Sequence, residues 1–421
     1  MFHTPLSCSA VKLLNSLQFF QVAALMPMPE HQEDYENLTD NSSFCATHVV
    51  TVRPLQKSNT LPPTEQRSDQ RTSERNNQGF VSGWLGIIDY PSSPTQRPKQ
   101  EFYYFSYSIL IDINSDRCII QSPTRMDDSE LTALQSDIAS ATSKPAVKAQ
   151  VRHWSGEWSK DSYTEAFQRV QQYLLSGDCY QINLTMPFIC QDDLTEANPF
   201  PLIAHFNAPF SVYFKTAERA ILSVSPELFI RITGKRLETR PIKGTAPRSS
   251  IPDADVENIR LLEGSSKNQA ENLMIVDLLR NDLSLSAKPH SVKVEKLFNI
   301  ESHKNVHHLV STISAELRDN ISHSQAILNA FPGGSITGAP KRRAMEIIDS
   351  LESRKRNAYC GSFGYIDDSG RSEFNILIRT IIATREEAVC WGGGGVVADS
   401  TADDEYQEIL NKVGMILEFP L

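Results

Sequence analysis

One lysine in the stretch RPIKGTAPR, residues 240–248, raises the first chemical question. Lys243 stands between Pro241 and Ile242, which read as inward-facing, and Gly244 and Thr245, which read as a tight turn. A lysine ending a strand is ordinarily a solvated edge charge. Among apolar groups its ammonium would be disfavoured, leaving the fraction of free amine that a covalent amine catalyst requires. The acids pose a similar choice. In AENLMIVDLL, Glu271 shares a helical face with Met274, Ile275 and Leu278, so its carboxylate must be paired, metal-bound or mobile. In DEYQEILNK, Glu405 and Glu408 project from one helical face, a spacing that a hard, oxygen-seeking cation can use. Taken alone, each acid is ordinarily a salt-bridge partner or a charge at a helix N-terminus.

Two glycine-rich segments invite a phosphate-loop reading and fail it. GGSITGAPK sets Gly333 and Gly338 at the right spacing, but Ala339 stands where the lysine belongs and no Ser or Thr follows Lys341. GGGGVVAD, residues 392–399, has Val397 where a dinucleotide fingerprint needs its third glycine. Four successive glycines after a strand still point to a close approach of backbone to a ligand. A Cys-dependent glutamine amidotransferase needs its nucleophile in a G-x-C-x-G elbow. None of the seven cysteines has one: Cys179 in GDCYQ has glycine on one side only, and Cys360 in AYCGS reads as strand.

The elements that must position these groups read as α+β. Residues 159–178 form an amphipathic helix with Ser162 and Glu165 as a capping box, Phe167, Val170, Tyr173 and Leu174 on one face, and Gly177 as its stop. Further helices are expected at 268–283, 324–331, 340–353 and 403–419. Strands are expected in 79–90, 102–113, CYQINLTMPF, SVYFK, ILSVS, LFIRITGKRLETRPIKG, YCGSFGYID, FNILIRTIIATR and VCWGGGGVVADS. No regular βαβ rhythm appears, which favours mostly antiparallel sheets. Residues 13–26 look like a signal-peptide core, but Asn15, Ser16, Gln18 and Gln21 interrupt it, so a helix is expected there, with no export and no membrane span. Polar residues 57–78 read as a linker or long loop. The organisation expected is a divergent N-terminal segment over 1–78, a strand-rich part over 79–158 and a catalytic core over 159–421, the last two interwoven.

A net charge of −10 and a pI near 5.5 argue against nucleic acid or an anionic membrane as partner, so an anionic ligand must be held by local positive groups. Seven cysteines without a C-x-x-C pair suit a reducing cytoplasm.

RPIKGTAPR, AENLMIVDLLRND, VHHLVSTI, FPGGSITGAPKRRAMEIID, IRT and GGGVVADS with EYQE, in that order from about residue 160 to the C-terminus, together resemble the chorismate-utilising enzymes. The resemblance implies a two-sheet, mostly antiparallel sandwich with helices packed outside and the active site between the sheets. Anthranilate synthases carry alanine where Lys243 stands. Lysine in P-I-x-G-T marks the folate-pathway branch, which aminates chorismate on the route to 4-aminobenzoate. The branch that adds water keeps its lysine in the strand matching CYQINLTMPF, where this chain offers Gln181.

Carried over residue by residue, the resemblance implies Lys243 as nucleophile, Glu227 as proton donor and His308 as the active-site histidine, with His307 its uncertain neighbour. Gly244, Thr245, Tyr359, Arg379 and the backbone of Gly393, Gly394 and Gly395 match chorismate-binding positions. Glu271 and Glu408 match ligands of Mg²⁺, and Glu405 the neighbouring acid. Pro209, Phe210 and Ser211 match half of a tryptophan pocket, whose other half is in doubt because residues 1–78 do not show the expected strands. Ammonia would come from a separate glutamine amidotransferase subunit, docking near FPGGSITGAPK, whose glycines would leave room for ammonia to pass. The rival readings are anthranilate synthesis, with Lys243 incidental, and a scaffold with a decayed site.

Overall fold

The computed structural model describes residues 1–28, 46–62, 79–303 and 306–421. Its strands are β1 (Phe2–Leu6), β2 (Ala23–Pro27), β3 (His48–Val52), β4 (Gln56–Ser58), β5 (Gly83–Ile88), β6 (Gln100–Phe105), β7 (Ser108–Asp112), β8 (Arg117–Ser122), β9 (Ser155–Gly156), β10 (Gln181–Cys190) and β11 (Phe210–Lys215). They continue as β12 (Ala220–Ser225), β13 (Leu228–Thr233), β14 (Arg236–Arg240), β15 (Ile242–Pro247), β16 (Lys293–Ser302), β17 (Val306–Glu316), β18 (Gly338–Ala339), β19 (Ser362–Asp367), β20 (Arg371–Asn375), β21 (Thr380–Ala383) and β22 (Ala388–Val396). The helices are α1 (Ala10–Leu14), α2 (Asp128–Thr142), α3 (Lys160–Leu175), α4 (Phe200–Phe206), α5 (Pro252–Glu263), α6 (Ser266–Ser284), α7 (His323–Ala330), α8 (Lys341–Leu351) and α9 (Ala402–Leu417).

Two sheets form among the described residues, and every named strand pair is antiparallel. The larger runs β1-β8-β7-β3-β2-β11-β12-β21-β22-β10-β18, and the smaller runs β15-β17-β14-β13-β20-β19-β5-β6-β4. Period-two alternation decides which side chains fill which layer. In β2, Ala24 and Met26 join the core between the sheets, while Ala23 and Leu25 join a second core on the outer face of the larger sheet. Helices α1, α2, α3, α4, α8 and α9 cover that outer face, and α6 and α7 pack with the inter-sheet core. No helix of the described residues is long and apolar enough to cross a membrane.

Several expectations need correction. The helix expected over 13–26 is a short α1, a 3₁₀ turn at Leu17–Phe19 and the strand β2. A strand buried on both faces is apolar throughout, and such a run cannot be told from a buried helix by periodicity. Residues 1–78 do contain strands: β2 and β3 sit mid-sheet between β11 and β7. The linker expected from residue 57 begins inside β4, and its stretch 63–78 lies outside the described residues. The α3 cap is Ser159, whose hydroxyl accepts from the Ser162 amide, so Ser162 lies inside the helix. The four glycines belong to β22 itself. FNILIRTIIATR divides into the end of β20 and β21, which lie in different sheets.

Candidate active site

Two neighbouring chain segments change sheets side by side. β12 ends at Ser225 in the larger sheet and β13 begins at Leu228 in the smaller, while β20 ends at Asn375 and β21 begins at Thr380 in the reverse sense. Pro226, which has no amide to donate, sits where the ladder is given up. The seam is stitched: Ser225 Oγ donates to Ile376 O (2.6 Å), Ile376 N to Glu227 O (3.1 Å) and Val224 N to Arg379 O (3.1 Å). Glu227 and Arg379 therefore stand at the crossing, Arg379 at a positive φ of 52°. Burial pushes the Glu227 carboxyl up, opposed by the hydrogen bond from Ser335 Oγ (2.8 Å) and by Lys243, Lys412 and Arg379. Burial also lowers Arg379.

Lys243 stands in a β-bulge. Ile242 pairs with Val310 and Thr245 with His308, so β15 uses one more residue than β17 across this interval. A bulge re-aims a side chain, and Gly244 supplies the positive φ, 91°, that makes it. The tight turn expected at Gly244 and Thr245 is thus a kink within a strand. A Cβ at Gly244 would meet Leu262 Cδ1 at 2.9 Å, so α5 closes over it. Lys243 is half-buried, and desolvation lowers its pKa against the pull of Glu271, Glu227 and Glu408, with Lys412 adding repulsion. Next to it, Thr245 Oγ1 lies 3.0 Å from His308 Nδ1. Burial, with Arg379 nearby, lowers His308 to about 4, so the ring is neutral at physiological pH. The neighbouring His307 is occupied, 2.7 Å from Ser302 Oγ and 3.0 Å from Asp255 Oδ1.

Of the remaining acids, Glu271 of α6 and Glu408 of α9 act on Lys243, and Glu405 neighbours Glu408. Glu405 is buried, accepts from Ser400 Oγ (2.7 Å), and is raised by burial and by the charge of Glu408. Burial works against the charge of Glu408, yet its carboxyl is held low by Lys412, 2.5 Å away. Glu405 Oε2 and Glu408 Oε1 both approach the Cα hydrogen of Gly394, at 2.8 and 3.8 Å from where a Cβ would stand. Among the described residues no group of three His, Cys, Asp or Glu is gathered tightly enough to hold an ion alone. Mg²⁺ keeps several of its waters and takes one or two carboxylates plus oxygens of a ligand, so Glu271 and Glu408 are the residues that could hold it.

Gly393, Gly394 and Gly395 pair with Thr185, Leu184 and Asn183 of β10, and β21 pairs with β22 only as far as Cys390. Among the described residues their other edge therefore carries no strand. Close approach does explain these glycines, but to protein: a Cβ at Gly393 would lie 2.3 Å from Thr185 Cγ2, and one at Gly395 2.9 Å from Gln181 Cδ. Gln181 is 1% exposed, and among the described residues neither atom of its amide has a hydrogen-bond partner. Tyr359 lies deeper, buried and stacked on Trp391 with ring centroids 5.6 Å apart. The FPGGSITGAPK glycines are packed tightly: a Cβ at Gly334 would meet Leu278 Cδ2 at 2.5 Å and one at Gly333 would meet Ile376 Cδ1 at 3.2 Å. Lys341 anchors this segment on Asp282 of α6 (2.7 Å).

Pro209, Phe210 and Ser211 line a separate cavity between the sheets with Met26, Phe80 and Tyr365, and its volume is about 50 Å³. That is room for a few waters at most, by the ~10–15 Å³ each requires.

The fold thus sets Glu227 within electrostatic reach of Lys243, Lys412 and Arg379, and Lys243 within reach of Glu271 and Glu408, with Thr245 and His308 joined to each other and Glu405 beside Gly394 of β22; it sets Pro209, Phe210 and Ser211 apart. Sequence reasoning missed Lys412 and Ser335. Lys412 lies one turn beyond Glu408 on α9, a spacing that signals an ion pair. Nothing in the spacing of Ser335 could have revealed its partner, 108 residues away.

The profile of the chorismate binding enzyme family matches residues 33–418. Aminodeoxychorismate synthase component 1 of Escherichia coli (strain K12) is 48% identical over 384 residues, 88% of this chain and 83% of that relative. The protein of the same name from Salmonella typhimurium is 49% identical over 265 residues, and the match spans 63% of this chain and 58% of that relative's length. Anthranilate synthase component I from Streptococcus pneumoniae shares the fold, with a TM-score of 0.72 at 21% identity over 92% of this chain and 94% of that one.

Proposed function

The chain belongs to the chorismate binding enzymes, and on that premise we propose that it converts chorismate and ammonia to 4-amino-4-deoxychorismate, the activity its relatives' name describes. The observation that carries this reading is Lys243, set in a β-bulge with the charges of Glu271, Glu227 and Glu408 around it and Arg379 beside Glu227. Burial favours the neutral form of both Lys243 and Glu227, an amine that can attack and an acid that can donate.

Lys243 Nζ attacks C2 of the ring, shedding a proton as the bond forms, while the C4 hydroxyl leaves as water with a proton from Glu227. Ammonia then bonds to C4, and the C2–nitrogen bond breaks, returning the lysine. One ammonia enters and one water departs. Arg379 suits a carboxylate of the substrate, since a guanidinium can clamp it bidentately, and the unpaired edge of Gly393–Gly395 offers amides to the other. Neutral His308, on Thr245, borders the ring. Tyr359 supports the floor through Trp391. Glu271 and Glu408, with Glu405 beside them, would hold Mg²⁺, which would neutralise a substrate carboxylate. Gln181 provides no basic group to activate water, which favours ammonia as the incoming nucleophile.

Ammonia would be delivered in the cytoplasm by a separate glutamine amidotransferase subunit, because no cysteine of this chain lies in a nucleophile elbow. The tryptophan pocket belongs to the same reading only if the cavity at Pro209, Phe210 and Ser211 widens around the ring.

Intact-protein mass spectrometry tests the covalent step. With chorismate and no ammonia, an adduct should form and map to the peptide holding Lys243. An adduct that persists in Lys243→Ala sinks the assignment.

A further inference from the structure

The motif GGSITGAPK, which failed as a phosphate loop, places one hydroxyl against the acid of the cleft. Its Gly334–Ile336 segment is a 3₁₀ turn pressed onto α6, and Ser335, buried within it, donates through Oγ to Glu227 Oε1 at 2.8 Å. Among the described residues the other oxygen, Oε2, has no protein hydrogen-bond partner. The Glu227 backbone is fixed independently, its amide donating to Ser225 Oγ (3.2 Å) and its carbonyl accepting from Ile376 N (3.1 Å). With the main chain held, the side-chain torsions of Glu227 are what the Ser335 hydroxyl restrains.

We propose that Ser335 is a positioning residue of the reaction, occupying Oε1 of Glu227 so that the acid's transferable proton resides on Oε2. This rests on the reading of Glu227 as proton donor. A carboxylic acid has one proton and two oxygens, and a hydroxyl that donates to one oxygen disfavours the proton there. Ser335 is itself held on an anchored base, because the turn continues through Thr337, whose Oγ1 donates to Gly333 O (3.1 Å), into Lys341, paired with Asp282.

The same bond tunes the acid. A hydrogen bond donated to a carboxylate favours its ionised form, so Ser335 opposes the burial that raises Glu227. The charged groups facing Glu227 are Lys243 from β15, Lys412 from α9 and Arg379 from the crossing before β21, all three favouring ionisation, with Glu271 and Glu408 beyond Lys243. Substituting Ser335 leaves all of these in place.

The test measures kcat and the chorismate KM of the full chain against pH, at constant free ammonia, for the wild type, Ser335→Ala, Ser335→Thr and Glu227→Gln. Ser335→Ala should lower kcat about tenfold with KM little changed. The descending limb, where Glu227 loses its proton, should move up by about one pH unit, the size of one lost hydrogen bond to a charged group. Ser335→Thr keeps the hydroxyl and should restore both the rate and the limb. An unmoved limb, equal losses in the Ala and Thr variants, or a change in KM alone would overturn the proposal. Normal turnover in Glu227→Gln would instead overturn the proton-donor reading beneath it, whereas an inactive Glu227→Gln beside a normal Ser335→Ala would overturn this inference alone.

Discussion

At the residue scale the site is a balance of like and unlike charges, from buried Glu227 to exposed Glu408. Lys243, Lys412 and Arg379 stand against Glu227, Glu271, Glu405 and Glu408, and removing either set would leave the other repelling itself. Glu408 is already engaged by Lys412, so a divalent ion must compete with that ammonium. We therefore expect Mg²⁺ and chorismate to bind tightly only together, the substrate supplying the oxygens that three dispersed glutamates do not. Glu271→Gln or Glu408→Gln should weaken chorismate binding in the presence of Mg²⁺ at least about tenfold, roughly 1.4 kcal/mol, by isothermal calorimetry. Binding without the ion should change little. Unchanged Mg²⁺ dependence in both variants would remove them from the metal site. Lys243, Glu271, Glu405 and Glu408 were legible as residues because each is a charge on an apolar pattern. Their meeting was not, because it depends on a bulge and a crossing that no local pattern encodes.

At the element scale, β22 is where sequence and structure differ most usefully. The strand expected over VCWGGGGVVADS is present, but its four glycines, read as approaching a ligand, are fitted between β10 and α9. Gly392 faces Ile409 of α9, where a Cβ would lie 2.7 Å from Cγ2, and Gly393 faces Thr185 of β10. One contact is with a buried side chain of α9 and the other with a side chain of β10, so their relief requires repacking of those side chains or a shift of the backbone. Gly393→Ala should cost about 1–3 kcal/mol of stability by overpacking, read as a lower midpoint in urea unfolding, and Thr185→Ser should recover part of it by removing the clashing methyl. If the single variant unfolds like the wild type, packing is not what selects glycine there. The helices α3, α6, α7, α8 and α9 were readable from their periodicity. By contrast α5, with a single buried side chain, Leu262, offers almost no apolar period, although Pro252 at its start and Asp253 and Asp255 in its first turn are the usual opening signals. Its placement matters, because Asp255 holds His307 and leaves His308 as the histidine that meets Thr245.

At the scale of the whole molecule, the α+β, antiparallel character followed from the order of elements, but the N-terminal part did not. β2 and β3 are apolar on both faces because they lie in the middle of the larger sheet, and that burial erased the alternation by which a strand is recognised. The two sheets exchange strands at the seam, so the acid at 227 and the guanidinium at 379 are brought together by the topology of the entire sandwich. The proposed activity is accordingly a property of the whole chain, which we expect to aminate chorismate with free ammonia and to draw no nitrogen from glutamine by itself. Mass spectrometry of the products formed by the purified chain with chorismate and Mg²⁺, supplied with either an ammonium salt or glutamine, decides the matter. We predict 4-amino-4-deoxychorismate, its enolpyruvyl group retained, from the ammonium salt alone, at a rate that rises towards pH 9 as ammonium gives up its proton. Anthranilate with released pyruvate, or product formed from glutamine by the single chain, would contradict it.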